Sequence, residues 1–285
     1  MSLAAIIEVT IDGIAQGFLF ALLGLAITLV FGLGQILNLA LGSFAVIAVI
    51  AAATVHNMTP SVFAAATVGV LVVGLLGVAV DRTVLEKVYR TDEEERILLG
   101  VVVTLGLALA LDGILYAYFP FNYSLSHGVP GQSIGGIGVH GSAITTILPS
   151  ILLIGILFAY FKFTYLGMAT RTLFQDETGA LLVGVNPRRL RTIIFVMSAM
   201  VAAIAGVIYS FGTQVSPASG FELTIYAIIV SIVGGVRNVT GAVVAGLFLG
   251  LVAAYLSYFI GAYVANVALF AIAIVVLLVK SEVLA

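Results

Sequence analysis

An α-helix needs about 20 consecutive apolar residues to cross roughly 30 Å of hydrocarbon, and this 285-residue chain is built largely of such runs. They cover 13–33, 36–55, 60–80, 97–119, 142–161, 192–211, 240–260 and 262–279, which predicts eight spans. A ninth apolar segment, 224–236, is short for a full crossing and ends at Gly234-Gly235-Val236-Arg237, so it reads as a half-helix or a tilted span. The expected fold is all-α, a polytopic transmembrane helical bundle of 8–9 spans forming one transmembrane domain over 1–285, with broken helices near 32–42 and 232–241.

The basic residues set the orientation. Arg82, Lys87, Arg90 and Arg96 form one cluster, Lys162, Arg171, Arg188, Arg189 and Arg191 another, and Arg237 and Lys280 stand alone. Cytoplasmic loops are enriched in Lys and Arg. Alternating the connections from an outside N-terminus puts every basic residue inside, the C-terminus in the cytoplasm, and His56, His127 and His140 outside. The segment Met1 to Asp12 lacks a basic stretch and a small-residue cleavage site, so it is not read as a cleaved signal.

Composition excludes several chemistries. Charged residues make up 8% of the chain and mean hydropathy is +1.27, against roughly 25% charged residues in soluble domains, which predicts a multi-pass protein of the cell (inner or plasma) membrane in contact with lipid. A net charge of −2 suggests no nucleic-acid partner. Without cysteine there is no disulfide, thiolate nucleophile or Cys-based metal site. The sequence has no Gly-x4-Gly-Lys-Ser/Thr, His-Glu-x-x-His or Gly-x-Ser-x-Gly stretch, so no P-loop, metalloprotease or elbow-type hydrolase is expected, and no cofactor or metal is implied. Glycine pairs such as Gly13-x3-Gly17 and Gly246-x3-Gly250 are read as close helix contacts.

Four places carry polar groups within this apolar frame. The run Phe31-Gly32-Leu33-Gly34-Gln35-Ile36-Leu37-Asn38-Leu39-Ala40-Leu41-Gly42-Ser43-Phe44 interrupts two hydrophobic helices without a charge. Non-helical backbone at membrane depth requires burial in protein or a wet cavity, so a broken helix beside a solute path competes with a short turn capped by Asn38. On the first reading Gln35, Asn38 and Gly42 share a helical face. A similar Gly-Gly pattern recurs at Ile232–Gly241, as a repeated half-helix or as a chance likeness between two hairpins. Asp112 is the one acid inside a long apolar run, a functional candidate by default or a structural one that caps a helix break at Gly113 or hydrogen-bonds a neighbouring span; Glu222 reads as a loop or first-turn acid. From Lys162 to Arg191 the middle reads as a short amphipathic helix capped near Asp176 and ended by Gly184 and the Pro187 boundary, lying on the membrane or docking a cytoplasmic partner.

Taken together, Gly32–Gly42, Gly167-Met168-Ala169-Thr170-Arg171 with Gly184-Val185-Asn186, Ala202–Tyr209 and Val233–Ala242 resemble LivH-type permeases of the ABC importers for branched-chain amino acids, amides and urea. Where that family usually reads Asn-Phe-Ala-His-Gly, this chain has Asn38-Leu39-Ala40-Leu41-Gly42, so no role of that histidine carries over. The resemblance implies a transport subunit without its own ATPase or catalytic site. It works with cytoplasmic ABC ATPase subunits, a homologous second permease (LivM-type) and an extracytoplasmic solute-binding protein, by alternating access. It also implies a substrate path at Gly34, Gln35, Asn38, Gly42, Gly234, Gly235 and Asn238, and ATPase docking at Gly167, Arg171, Asp176, Glu177 and Gly184. An ion-coupled secondary carrier for a small zwitterionic or amide solute is the rival. A membrane scaffold or intramembrane enzyme is a further alternative that lacks a catalytic set.

Overall fold

The computed structural model of the protein describes residues 3–34, 36–59, 61–91, 93–125, 129–134, 137–175, 177–182 and 184–279. The chain begins with α1 (Leu3–Gly34), α2 (Leu41–His56) and α3 (Val62–Val80). A π-helical turn over Asp81–Leu85 runs into the short α4 (Glu86–Val88), and α5 (Glu93–Tyr118) follows. An antiparallel hairpin of β1 (Gln132–Ile134) and β2 (Ile137–Val139) precedes α6 (Gly141–Phe163). The two short helices α7 (Tyr165–Gln175) and α8 (Glu177–Leu182) lead to α9 (Pro187–Tyr209), α10 (Ser219–Gly234), α11 (Val239–Phe259) and α12 (Ala262–Val279).

Among the described residues, seven helical stretches are long and apolar enough to cross a bilayer: Leu3–Gly32, Val62–Val88, Glu95–Tyr118, Gly141–Phe163, Pro187–Tyr209, Val239–Phe259 and Ala262–Val279. Helices α2 and α10 are apolar but have 16 residues each, about 24 Å at 1.5 Å per residue. The expectation of a continuous span over 36–55 is therefore corrected. Residues 36–38 are not helical, and the helix begins at Leu41 because side chains described below satisfy the backbone of that stretch. The expected helix breaks near 32–42 and 232–241 are both present.

Lipid tails are as apolar as leucine, so helices in a bilayer associate through close van der Waals packing rather than through burial from water. This explains why α2 packs within the bundle with 11 of its 16 residues buried. Its neighbours approach it through glycines. A Cβ on Gly206 of α9 would lie 2.6 Å from the Ala45 carbonyl oxygen, one on Gly69 of α3 would collide with the Ala48 carbonyl, and one on Gly42 would collide with the Gly220 carbonyl of α10. The second glycine seam joins α1 to α11, which run antiparallel. Thr10 Oγ1 meets the Tyr255 hydroxyl at 2.7 Å. Further along, Gly13 faces Leu251 and Ala254, Gly17 faces Leu247, and Gly250 sits on the Gly17 backbone. The two glycine pairs expected to mediate packing thus oppose one another.

The two ends of the bundle differ. At one end lie the α3–α5 connection, the α6–α9 connection and the α10–α11 turn, which carry the described basic residues; Arg188 pairs with Glu86 at 2.6 Å across two of them. At the opposite end Glu8 accepts the Gly138 N–H at 2.5 Å, Asp12 lies 3.5 Å from His140 Nδ1, and Tyr123 and Val215 form an isolated β-bridge. His56 closes α2 at that end, whereas His127 and Lys280 fall outside the described residues.

Candidate functional site

The break after α1 is a buried extended segment held between two threonines. On one side, Thr104 Oγ1 of α5 accepts the Leu39 N–H at 3.2 Å and lies 2.8 Å from both the Leu37 and the Gly100 carbonyl oxygens. On the other, Thr224 Oγ1 of α10 accepts the Gly42 N–H at 2.9 Å and lies 3.3 Å from the Leu39 carbonyl. Asn38, 1% exposed, accepts the Ala40 N–H on Oδ1 at 3.1 Å. These bonds replace the helical ladder that 36–40 lacks, which is how irregular backbone survives in an apolar bundle. Ser43 in the first turn of α2 donates to Asp112 Oδ1 at 2.8 Å, so the intramembrane acid is tied to a neighbouring helix, as one of its two readings expected.

This geometry changes the reading of the polar residues there. Asn38 lies outside any helix, so the shared helical face of Gln35, Asn38 and Gly42 does not exist; Gln35 itself lies outside the described residues. Gly34 ends α1. Asn38 and Gly42 are enclosed by packing. One Asn38 group, Nδ2, is buried without a hydrogen-bond partner among the described residues.

The second break is of a different kind. Gly235 has φ +92°, a conformation that favours glycine, and closes α10. Asn238 caps α11 by accepting the Gly241 N–H at 2.9 Å. A Cβ on Gly234 would lie 2.5 Å from Ala242 N. This is a tight turn at the basic end with Arg237 exposed. Thr224 and Gly235 are 11 positions apart, roughly 16 Å along α10, so the two breaks meet opposite ends of that helix and not each other.

At the basic end, α7 folds back on the end of α6. Thr164 Oγ1 caps it by accepting the Gly167 N–H at 3.0 Å, and a Cβ on Gly167 would meet the Tyr160 and Phe161 backbone at 2.5–2.6 Å. The helix expected between Asp176 and Gly184 is present as α8, and α7 before it is a second, amphipathic helix that the sequence reading did not separate; Asp176 itself lies outside the described residues. Glu177 opens α8, Gly184 ends the segment with φ +83°, and Asn186 caps α9 ahead of Pro187. Arg171 is on α7. Tyr165 is 88% exposed and Leu182 85%, with Phe163 and Leu181 exposed beside them. Next to this surface Thr192 donates to Asp81 Oδ2 at 2.6 Å, Glu86 accepts from Arg90 and Arg188, and a cavity of about 530 Å³ opens between the π-helical turn and the start of α9. Burial, with Asp81 beside it, pushes the Tyr89 phenol up; the Arg191 guanidinium lies 5.4 Å from its ring centre.

Sequence reasoning missed Thr104 and Thr224, the two residues that hold the break open. Their signal was a hydroxyl inside an apolar run, which is common in membrane helices and uninformative until the partner backbone is known.

Apolar helices of spanning length packed around a buried interruption define a multi-pass membrane protein. Residues 9–279 match the family described as branched-chain amino acid transport system, permease component, and the chain belongs to that family. It is 26% identical over 285 residues to the high-affinity branched-chain amino acid transport system permease protein LivH of Salmonella typhimurium LT2, covering 94% of this chain and 91% of that protein, with the same values for LivH of Escherichia coli K12. BraD of Pseudomonas aeruginosa, described in the same terms, is 23% identical over 289 residues, with 95% and 92% covered. No solved structure matches.

Proposed function

We propose that this chain is a permease subunit of an ABC importer that moves branched-chain or other apolar amino acids inward by alternating access, powered by a separate ATPase. The family match over 9–279 carries the reading. The chain forms one permease domain in the cell membrane, N-terminus outside and basic end cytoplasmic. It performs no covalent chemistry and pairs with a homologous permease and an external solute-binding protein.

The ATPase docks on α7, α8 and Gly184, with Gly167, Arg171, Asp176 and Glu177 in its footprint. The exposed Tyr165, Leu181 and Leu182 support this, since they form an apolar surface on helices outside the spans. Motion of that surface passes into α9 and, through Arg188–Glu86 and Thr192–Asp81, into α3. The breaks at Gly34, Gln35, Asn38 and Gly42, and at Gly234, Gly235 and Asn238, border the path as the points where α1, α2, α10 and α11 change angle. Enclosed by packing, Asn38 and Gly42 suit hinge positions more than a wetted lining.

The test is affinity purification from native membranes combined with radiolabelled leucine uptake. An ATPase and a second permease co-purifying, with uptake that follows ATP and survives an uncoupler at constant ATP, supports the reading. Uptake that collapses with the uncoupler while ATP is held constant overturns it in favour of an ion-coupled carrier.

A further inference from the structure

A cavity of about 320 Å³ opens at the end of the bundle opposite the basic residues, between α1, α6, α9 and α10. That volume lies at the lower limit of the roughly 300–1,000 Å³ of small-molecule sites. Its walls divide by chemistry. Ala15, Leu19, Phe20, Ala143 and Ile208 are apolar, while Asp12, Gln16, Ser142, Thr146, Tyr209 and Tyr226 are polar. None of its lining residues is basic. Behind Tyr226, whose hydroxyl donates to Glu222 Oε1 at 2.7 Å and lies 3.1 Å from the Asn266 side-chain oxygen, a second carboxylate stands beside the site.

Two features of opposite sign face this space. Asp12 offers a carboxylate whose one ion-pair neighbour among the described residues is His140, at 3.5 Å. Ser142 and Ala143 belong to the first turn of α6, where His140 makes no side-chain capping bond, although its carbonyl accepts the Ala143 N–H at 3.0 Å. A helix start carries partial positive charge and unsatisfied N–H groups. The hydroxyls of Ser142, Thr146 and Tyr209 add donors. A lone anion would meet Asp12 and Glu222 with no basic residue in the lining, and a lone cation would leave the α6 start and the hydroxyls unused. An ammonium and a carboxylate held on one carbon fit both, with a small apolar side chain against Leu19, Phe20 and Ile208.

We propose that this cavity is the first binding site on the permease for a zwitterionic α-amino acid with a small apolar side chain. Asp12 receives the ammonium group, and the first turn of α6 with Ser142 and Thr146 receives the carboxylate. The proposal rests on the transport reading above and gives that reading a substrate contact on the side remote from the ATPase.

The chain has no cysteine, so Thr213→Cys, at the rim of the cavity, provides a unique thiol in this subunit. The assembled complex in native membranes is labelled with a maleimide that shifts the band of this chain, with L-leucine as probe. The expected result is that saturating leucine slows labelling several-fold. Adding Asp12→Asn raises the protecting concentration by about tenfold or more, the loss expected for a hydrogen bond to a charged group. Thr146→Val raises it less. Neither 4-methylpentanoate, which lacks the ammonium, nor 3-methylbutylamine, which lacks the carboxylate, protects at the leucine concentration. Equal protection by 3-methylbutylamine, or protection unchanged by Asp12→Asn, overturns the proposal. Leucine uptake by cells carrying the unaltered protein is measured in parallel. Uptake without protection removes this site and leaves the transport reading, whereas protection without uptake leaves the site and removes that reading.

Discussion

Gly246→Ala tests whether α1 and α11 touch through backbone. The added Cβ would lie 2.5 Å from Ala21 Cα and 2.8 Å from Ala21 Cβ, where ordinary contact begins near 3.4 Å. Backbone cannot rotate away as a flexible side chain does, so the two helices must separate by about 1 Å, a gap that already forfeits a large part of each dispersion contact. The substitution should therefore cost about 1–3 kcal/mol, the usual range for overpacking, partly offset by the roughly 1 kcal/mol by which alanine exceeds glycine in helix propensity. Gly155→Ala in α6 is the control, since its Cβ meets nothing within 4 Å and propensity alone acts. Reversible unfolding by SDS in mixed micelles measures both. Gly246→Ala should shift the transition to lower SDS and Gly155→Ala leave it unchanged or raise it. If both shift alike, the close crossing of α1 and α11 does not exist.

Thr224→Val deletes the acceptor of the buried Gly42 N–H and should lower stability in the same assay by about 1–3 kcal/mol, while Thr224→Ser, which keeps the hydroxyl, should come near the parent; Thr104→Val should behave alike through Leu39 N. Arg188→Glu should reduce leucine uptake, and adding Glu86→Arg should restore part of it by reversing the 2.6 Å pair; no recovery in the double variant would remove the pair from the coupling route. Leu182→Asp and charge reversal at Arg171 should lower ATPase recovery on co-purification without changing membrane abundance, and intact recovery with normal uptake would count against the docking surface. Asn38→Leu removes the acceptor of Ala40 N–H and should reduce uptake; normal uptake at normal abundance would take Asn38 out of the path.

Much of this architecture was legible in the sequence because a bilayer imposes simple demands. Apolar runs marked the helices from α3 onward to within a few residues, and Gly13, Gly17, Gly246 and Gly250 were recognisable as contact positions, although not as each other's partners. Pro187 marked a boundary, although the apolar run beyond it begins at 192 and left the first turn of α9 and its Asn186 cap unread, and Asn38 marked the first break. The site was less legible. Glycine-flanked asparagines looked alike at 38 and 238, yet one lies in a buried extended segment and the other caps a surface turn. The cavity lined by Asp12, Gln16, Ser142, Thr146, Tyr209 and Tyr226 draws on four helices that are distant in sequence, and none of those residues forms a local motif.

By itself the sequence determined a membrane-spanning helical bundle and an expected side for its basic residues, since helix length and the charge of connections are local properties that hydrocarbon and the membrane surface read one segment at a time. Only the tertiary structure decided that α2 starts at Leu41 and not near 36, that Thr104 and Thr224 bond the backbone between, and that the two breaks stay apart at opposite ends of α10. Those outcomes depend on which distant helix delivers a hydroxyl or a glycine to a given backbone atom. That pairing is fixed by packing, and periodicity along the chain carries no record of it.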